Sequence, residues 1–378
     1  MQKFDPNSEK FISEIENVAA YIKQNGNSLA HCTFQEIDFT QLQINWNLLH
    51  IEDTTFLGCQ LRIEDELLLH KKGAYIYKAP KSLPYNPFRH QLYTWQELME
   101  GYSSENDNSI DLKIYQHFYS TKFNPSINES LWQRLHDHAM DDSLRELLEY
   151  DEKGMTSRKC VGFMGGHSTK RTDPFYVKTA QTAKLLAEHG YFIVSGGGPG
   201  IMEATNLGAY FAGKKDADLA KAIQILQEAP HYTDPDFNNK AIEVLDAYPK
   251  GSDSLAIPTW FYGHEPSNLF ASHIAKYFSN SIREDTLLAI SLYGIICAPG
   301  SAGTTQEIFM DATQNHYGTF NFYSPMIFLG KKRYEIDTMI FPLLKQLAWG
   351  RDYSSLLFLS DEPMEILDFL QKHPPIAV

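Results

Sequence analysis

Along the second part of the chain, apolar positions switch repeatedly between two spacings. Short β-branched runs at 159–164, 191–195, 294–298, 325–329 and 355–359 alternate with stretches at 174–189, 199–212, 303–316, 336–348 and 362–372 whose apolar residues recur every three or four positions. Unbroken apolar runs are strands covered on both faces, and the longer period is that of amphipathic helices. The alternation predicts an α/β fold: a Rossmann-like, doubly wound parallel sheet over residues 151–378, with its boundary near Glu152. The same reading puts a strand at 254–261, helices at 268–279 and 283–292, and a charged helical excursion at about 216–247.

Residues 1–150 follow other rules and are assigned to a smaller N-terminal α+β domain of unassigned role. Phe11, Ile12, Ile15, Val18, Ala19 and Ile22 share one face of a helix from about Glu9 to Lys23. Phe34, Phe39, Ile44 and Leu49 then recur every five residues, and the register resumes at Phe56 and Leu61. That period fits either a pentapeptide-type β-helix or a small meander, and the few turns available favour the meander. A proline- and aromatic-rich extended arm (80–101), a polar loop (103–109) and an amphipathic helix from about Glu129 to Tyr150 complete this part.

Composition narrows the function classes. A formal net charge of −14 without a long basic run argues against nucleic-acid or anionic-membrane partners. Cys32, Cys59, Cys160 and Cys297 have neither CxxC nor disulfide-framework spacing, and the histidines show no HxxxH or HExxH pattern, so no metal site is inferred. Without a leader-like N-terminus or a membrane-length apolar run, a soluble cytoplasmic protein is expected.

The chemistry sits where strands end. Gly294-Ile-Ile-Cys-Ala-Pro-Gly-Ser-Ala-Gly-Thr-Thr-Gln-Glu307 is a strand, a glycine turn and a helix start, an arrangement that aims backbone N–H groups at one point and suits a phosphate. Gly300, Ser301, Ala302, Gly303, Thr304 and Thr305 are the candidate phosphate contacts, with the Glu307 carboxylate one turn into the helix. Two further strand ends repeat the device, one at Gly165, Gly166, His167 and Ser168, the other at Gly196, Gly197, Gly198, Gly200 and Glu203. In a doubly wound sheet these loops share one edge and line one nucleotide-sized crevice. His264 and Glu265 are placed at its border.

Taken together, Gly165-Gly-His-Ser168, Gly197-Gly-Pro-Gly-Ile-Met-Glu-Ala204 and Pro299-Gly-Ser-Ala-Gly-Thr-Thr-Gln-Glu307 resemble the Lonely Guy family, with its GGGxxGxM and PGGxGTxxE loops. The first two elements look closer still to the bacterial pyrimidine/purine nucleotide 5′-monophosphate nucleosidases. The resemblance spans about residues 155–360. It implies a Rossmann-like, usually dimeric hydrolase that needs no cofactor and splits a nucleoside 5′-monophosphate into free base and ribose 5-phosphate. It also implies that Glu307 and an upstream arginine, best matched by Arg283, carry catalysis. Two departures stand out: Ser301 replaces a family glycine, and Arg283 lies one residue farther from Pro299 than is usual, which leaves Glu284 as the alternative position facing the site. A non-catalytic module of the same fold, sensing a nucleotide or carrying a phosphorylated cofactor such as molybdopterin, is the competing reading. A dinucleotide oxidoreductase is disfavoured because Gly196-Gly-Gly-Pro-Gly is not GxGxxG.

Overall fold

The computed structural model describes residues 10–151 and 153–378, so Met1–Glu9 and the expected boundary residue Glu152 lie outside the described residues. The chain divides into two compact units, one ending at Arg89 and the other running from His90 to Val378. The segment 90–150, grouped with the N-terminal part from sequence, thus belongs with the sheet unit. Its buried groups explain this: Tyr93 bridges to Ile274, and Asp111 accepts from Trp260 Nε1 at 2.7 Å.

The first unit contains β1 (Lys10–Ile12), α1 (Ile15–Gln24), β2 (Cys32–Gln35), β3 (Thr55–Leu57), α2 (Ile63–Lys71) and β4 (Tyr75–Tyr77). Its four strands pair in chain order, all in parallel, so the expected meander, which needs antiparallel neighbours, is not what forms. The chain coils instead. Thr33 pairs with Thr55, and His31 meets Asp53 at the same offset of 22 residues. Short 3-10 turns at Phe39–Gln41 and Trp46–Leu48, each capped by the preceding Asp38 or Asn45, turn the corners. The five-residue apolar recurrence fills the coil's interior: Phe34 stacks on Phe56 at 5.2 Å, with Phe39 and Trp46 edge-on.

The second unit opens with α3 (Trp95–Leu98), the hairpin β5 (Tyr102–Ser103) and β6 (Asn106–Asp107), α4 (Ile110–Thr121) and α5 (Ile127–Leu148). The wound part follows: β7 (Lys159–Met164), α6 (Pro174–Glu188), β8 (Tyr191–Ser195), α7 (Ile201–Tyr210), α8 (Asp216–Leu226), α9 (Phe237–Ala247), β9 (Leu255–Ala256) and β10 (His273–Ile274). Next come α10 (Asn280–Ile290), β11 (Ile295–Cys297), α11 (Ala302–Tyr317), β12 (Phe322–Tyr323), β13 (Met326–Phe328), α12 (Ile340–Leu347), β14 (Leu357–Leu359), α13 (Pro363–Lys372) and β15 (Ile376–Ala377).

Seven strands form a parallel sheet in the order β10-β9-β8-β7-β11-β13-β14, a Rossmann-like doubly wound arrangement. The chain winds outward from β7 to one edge, returns to the centre and winds from β11 to the other, so the reversal falls between β7 and β11. Val161, Phe163, Ile193, Ile296 and Ile327 are fully buried in its core, as expected for strands covered on both sides.

Two local expectations fail at the edge. No helix forms at 268–279. Ile274 and Tyr277 are instead buried by parallel pairing with 255–259, because a short apolar run satisfies a helix or a covered strand equally well. The strand expected over 254–261 is confined to Leu255–Ala256, two residues before Pro258, which has no N–H for a ladder. The helix expected at 336–348 also begins differently, as a π-turn over Lys332–Asp337 before α12.

Candidate functional site

Three glycine-bearing turns leave the carboxyl ends of β7, β8 and β11 on one edge of the sheet and touch one another. Gly166 N–H donates to Pro299 O at 3.0 Å, and Gly166 O accepts from Ile201 N–H at 3.1 Å. Bare backbone makes this closure feasible. Gly200 has φ +68°, and a Cβ there would lie 2.4 Å from Gly166 O; a Cβ on Gly300 would lie 2.0 Å from Thr304 Oγ1. Tyr334 Oη donates to Ala298 O at 2.7 Å and Arg333 Nη2 to Gly300 O at 2.8 Å, bracing the third turn from below.

That turn feeds α11. Its N-cap, Ser301, makes no side-chain cap, so the first N–H groups of the helix are left for solvent or a ligand. Ser301, Ala302 and Gly303 are exposed, whereas Thr304 is buried against Gly300. Thr305 Oγ1 donates back to Ser301 O at 3.1 Å. At the first turn, Gly166 is buried, Gly165 half-buried and Ser168 exposed, and the His167 ring meets Tyr232 edge-on at 5.9 Å.

Arg283, on α10, and Glu307, on α11, meet beside these turns. Arg283 Nη1 donates to Glu307 Oε1 at 2.8 Å and Nε to Ile257 O at 2.9 Å, with the two side chains only 9% and 12% exposed. Its Nη2 lies against Gly196, where a Cβ would come within 2.7 Å. Burial raises the Glu307 carboxyl above its ordinary range, the Arg283 charge opposes that shift, and neighbouring Glu284 adds to it. Glu284 itself is engaged: Oε1 accepts from Asn280 Nδ2 at 2.7 Å and Oε2 from Gln306 Nε2 at 2.9 Å. Of the two positions left open by the motif spacing, it is Arg283 that reaches Glu307.

Glu203 stands apart from the other candidates. Arg171, fully buried, grips its carboxylate through Nε and Nη2, and Tyr176 Oη donates to it at 2.7 Å. Arg171 Nη1 also donates to Ala229 O and Phe237 O at 3.1 Å, and the guanidinium lies 3.5 Å over the Phe237 ring. Glu203 therefore anchors the helical excursion and has its carboxylate filled by protein donors.

A cavity opens beside Gly196–Gly198, walled by Tyr262, Glu265, Lys276 and Arg283 and enclosing about 40 Å³. Its floor comes from a part of the chain without motifs. Asp111 of α4 sits 2.8 Å from Lys276 Nζ and also accepts from Trp260 Nε1 and Ser267 Oγ. Lys276 Nζ donates to Ser267 Oγ at 2.9 Å and lies 5.2 Å from the Trp260 ring. Neither Asp111 nor Lys276 stands in a recognisable local pattern, and 165 residues separate them, so sequence reasoning had no signal to join them. His264 packs on Tyr115 at 5.6 Å, and burial pushes its imidazole below the ordinary histidine range. Among the described residues, no cluster of three or more His, Cys, Asp or Glu side chains is arranged to hold a metal.

Residues 158–215 match the model of the SLOG cluster4 family. Among solved structures, the molybdenum cofactor binding protein from the phototrophic bacterium Rippkaea orientalis is similar at 13% identity and a TM-score of 0.36, covering 57% of this chain and 96% of its own. The Moco carrier protein from Chlamydomonas reinhardtii is similar at 14% identity and a TM-score of 0.36, covering 57% of this chain and 99% of its own. No curated protein sequence matches the chain.

Proposed function

We propose that this protein hydrolyses the N-glycosidic bond of a nucleoside 5′-monophosphate, releasing free base and ribose 5-phosphate. The carrying observation is the Arg283–Glu307 pair at the strand-end edge, one helix turn from the uncapped N-terminus of α11. The 5′-phosphate takes the N–H groups from Ser301 to Thr304, which need no lysine to hold an anion in an acidic protein. The ribose then lies over Glu307. Breaking C1′–N builds positive charge on the sugar, which a carboxylate stabilises while it orients and deprotonates the attacking water. Arg283 occupies Oε1 and so fixes the carboxylate, leaving Oε2 for the water.

The cavity, about 40 Å³, holds a few waters and not a base. A base therefore enters by displacing the segment around Tyr262, whose side chain stands 62% exposed at the rim. Incubation with AMP, GMP, CMP and UMP, followed by assay of ribose 5-phosphate, tests the reading; tight binding without release defeats it. That outcome is what the second reading requires, a sensor or carrier of a phosphorylated ligand. Ser301, whose Cβ stands where the phosphate comes closest, is the feature that favours it. A homodimer, proposed from the family resemblance, is checked by light scattering. Among the described residues no helix is long and apolar enough to cross a membrane.

A further inference from the structure

The cluster on the cavity floor has chemistry that the phosphate and sugar contacts do not use. Lys276 is 3% exposed and Asp111 2% exposed, yet Lys276 lines the same cavity as Arg283. Three oxygens surround the Lys276 ammonium, the two of the Asp111 carboxylate at 2.8 and 2.9 Å from Nζ and Ser267 Oγ at 2.9 Å. The ammonium is thus held in place at the wall of the cavity, on the same side as Arg283. Asp111 is fixed in turn by Trp260 Nε1 and Ser267 Oγ, so the ammonium is held on a built frame. Trp260, 1% exposed, walls the cluster from solvent, which strengthens any charge interaction made there.

A nucleotide whose phosphate sits at Gly300–Thr304 and whose C1′ sits at Glu307 must send its base towards the other side of Arg283. We propose that Lys276 is the group that stabilises the departing base, its ammonium donating a hydrogen bond to a ring nitrogen or carbonyl of the base, with Asp111 and Ser267 as its positioning residues. This rests on the glycosidase reading and adds the leaving-group half of the reaction. In the step, a water oxygen bonds to C1′ as the C1′–N bond breaks, and the bond's electron pair stays on the base. Glu307 takes the water's proton and returns it through solvent to the base nitrogen. Lys276 keeps its protons and offsets the negative charge while the base is unprotonated. The segment 90–150 thereby contributes to the site through Asp111.

The experiment compares nucleoside 5′-monophosphates with 4-nitrophenyl ribofuranoside 5-phosphate, whose leaving group is stable as an anion and needs no donor. Lys276→Met is expected to lower kcat on the nucleotides about a hundredfold. Its kcat on the nitrophenyl substrate should stay within about threefold of wild type, and KM for both should change little. Ser267→Ala, which removes one partner and keeps the charge, should give the same split at smaller size, and it carries the test if Lys276→Met fails to fold. Equal losses on both substrates, or none on either, overturn the proposal and leave the glycosidase reading standing. Wild-type protein that cleaves neither substrate overturns both.

Discussion

Arg283 and Glu307, 24 residues apart on consecutive helices flanking β11, form a largely buried ion pair that closes at 2.8 Å beside the glycine turns. A buried pair of this kind is weak evidence for stability, since desolvation offsets most of the attraction. Its place at the strand-end edge, with the carboxyl pulled upward by burial and downward by its partner, supports the catalytic role proposed for it.

Glu307→Gln is expected to abolish release of ribose 5-phosphate and to leave nucleotide affinity within about tenfold, because the lost interaction acts mainly in the transition state. Calorimetric titration beside the release assay measures both. Near-normal turnover would remove Glu307 from the reaction.

The pH profile of kcat/KM should report the same pair. Glu307 must be ionised to take a proton, and burial raises its carboxyl, so activity falls on the acid side starting at a pH above the ordinary carboxylate range. Arg283 opposes that shift, so in Arg283→Gln the acid limb should move further up. A limb that stays in place means another group is titrating.

Two glycines of one turn should separate packing from binding. A Cβ on Gly300 meets Thr304 Oγ1 at 2.0 Å and Gly166 N at 3.0 Å, so Gly300→Ala should cost about 1–3 kcal/mol of stability. Around Gly303 nothing lies within 4 Å, so Gly303→Ala should melt like wild type. It should nonetheless bind nucleotide about tenfold more weakly if the phosphate approaches the helix start. Unchanged affinity for AMP and GMP would place the phosphate elsewhere.

Asp311 follows Glu307 by one turn of α11, is 2% exposed, and its Oδ2 has no hydrogen-bond partner. Burial alone pushes its carboxyl up to about 8. A native value above the unfolded one means that folding takes up a proton. The associated stability is full below the unfolded value of 3.8, falls as pH rises, and is gone above about 8. Asp311→Asn should therefore stabilise the fold at about pH 9 and lose that advantage towards about pH 4. Urea titrations of both proteins across this range check the sign; a gain at acid pH would refute it.

Breaking the Arg171–Glu203 pair should be costly, since either single change leaves an unpaired buried charge. Arg171→Met or Glu203→Gln is expected to lose about 3–5 kcal/mol, and replacing both by apolar residues to recover much of it. Denaturation midpoints of the single and double variants measure the difference.

The glycine turns, the helix starts and the strand–helix alternation were legible because each depends on neighbours in the chain: φ values, caps and apolar period are local properties. The same locality made Glu307 visible one turn beyond Gly303. The five-residue recurrence in the first unit left a pentapeptide-type β-helix and a meander open and the favoured meander failed, because parallel coiling at a 22-residue offset depends on which segments lie side by side, and the period is silent on that. Edge pairing of Ile274, the capture of Glu203 by Arg171, and the Asp111–Lys276 contact were decided only when distant segments packed. A buried charge must find its partner wherever the fold brings one, so such pairs leave no mark in the spacing of the sequence.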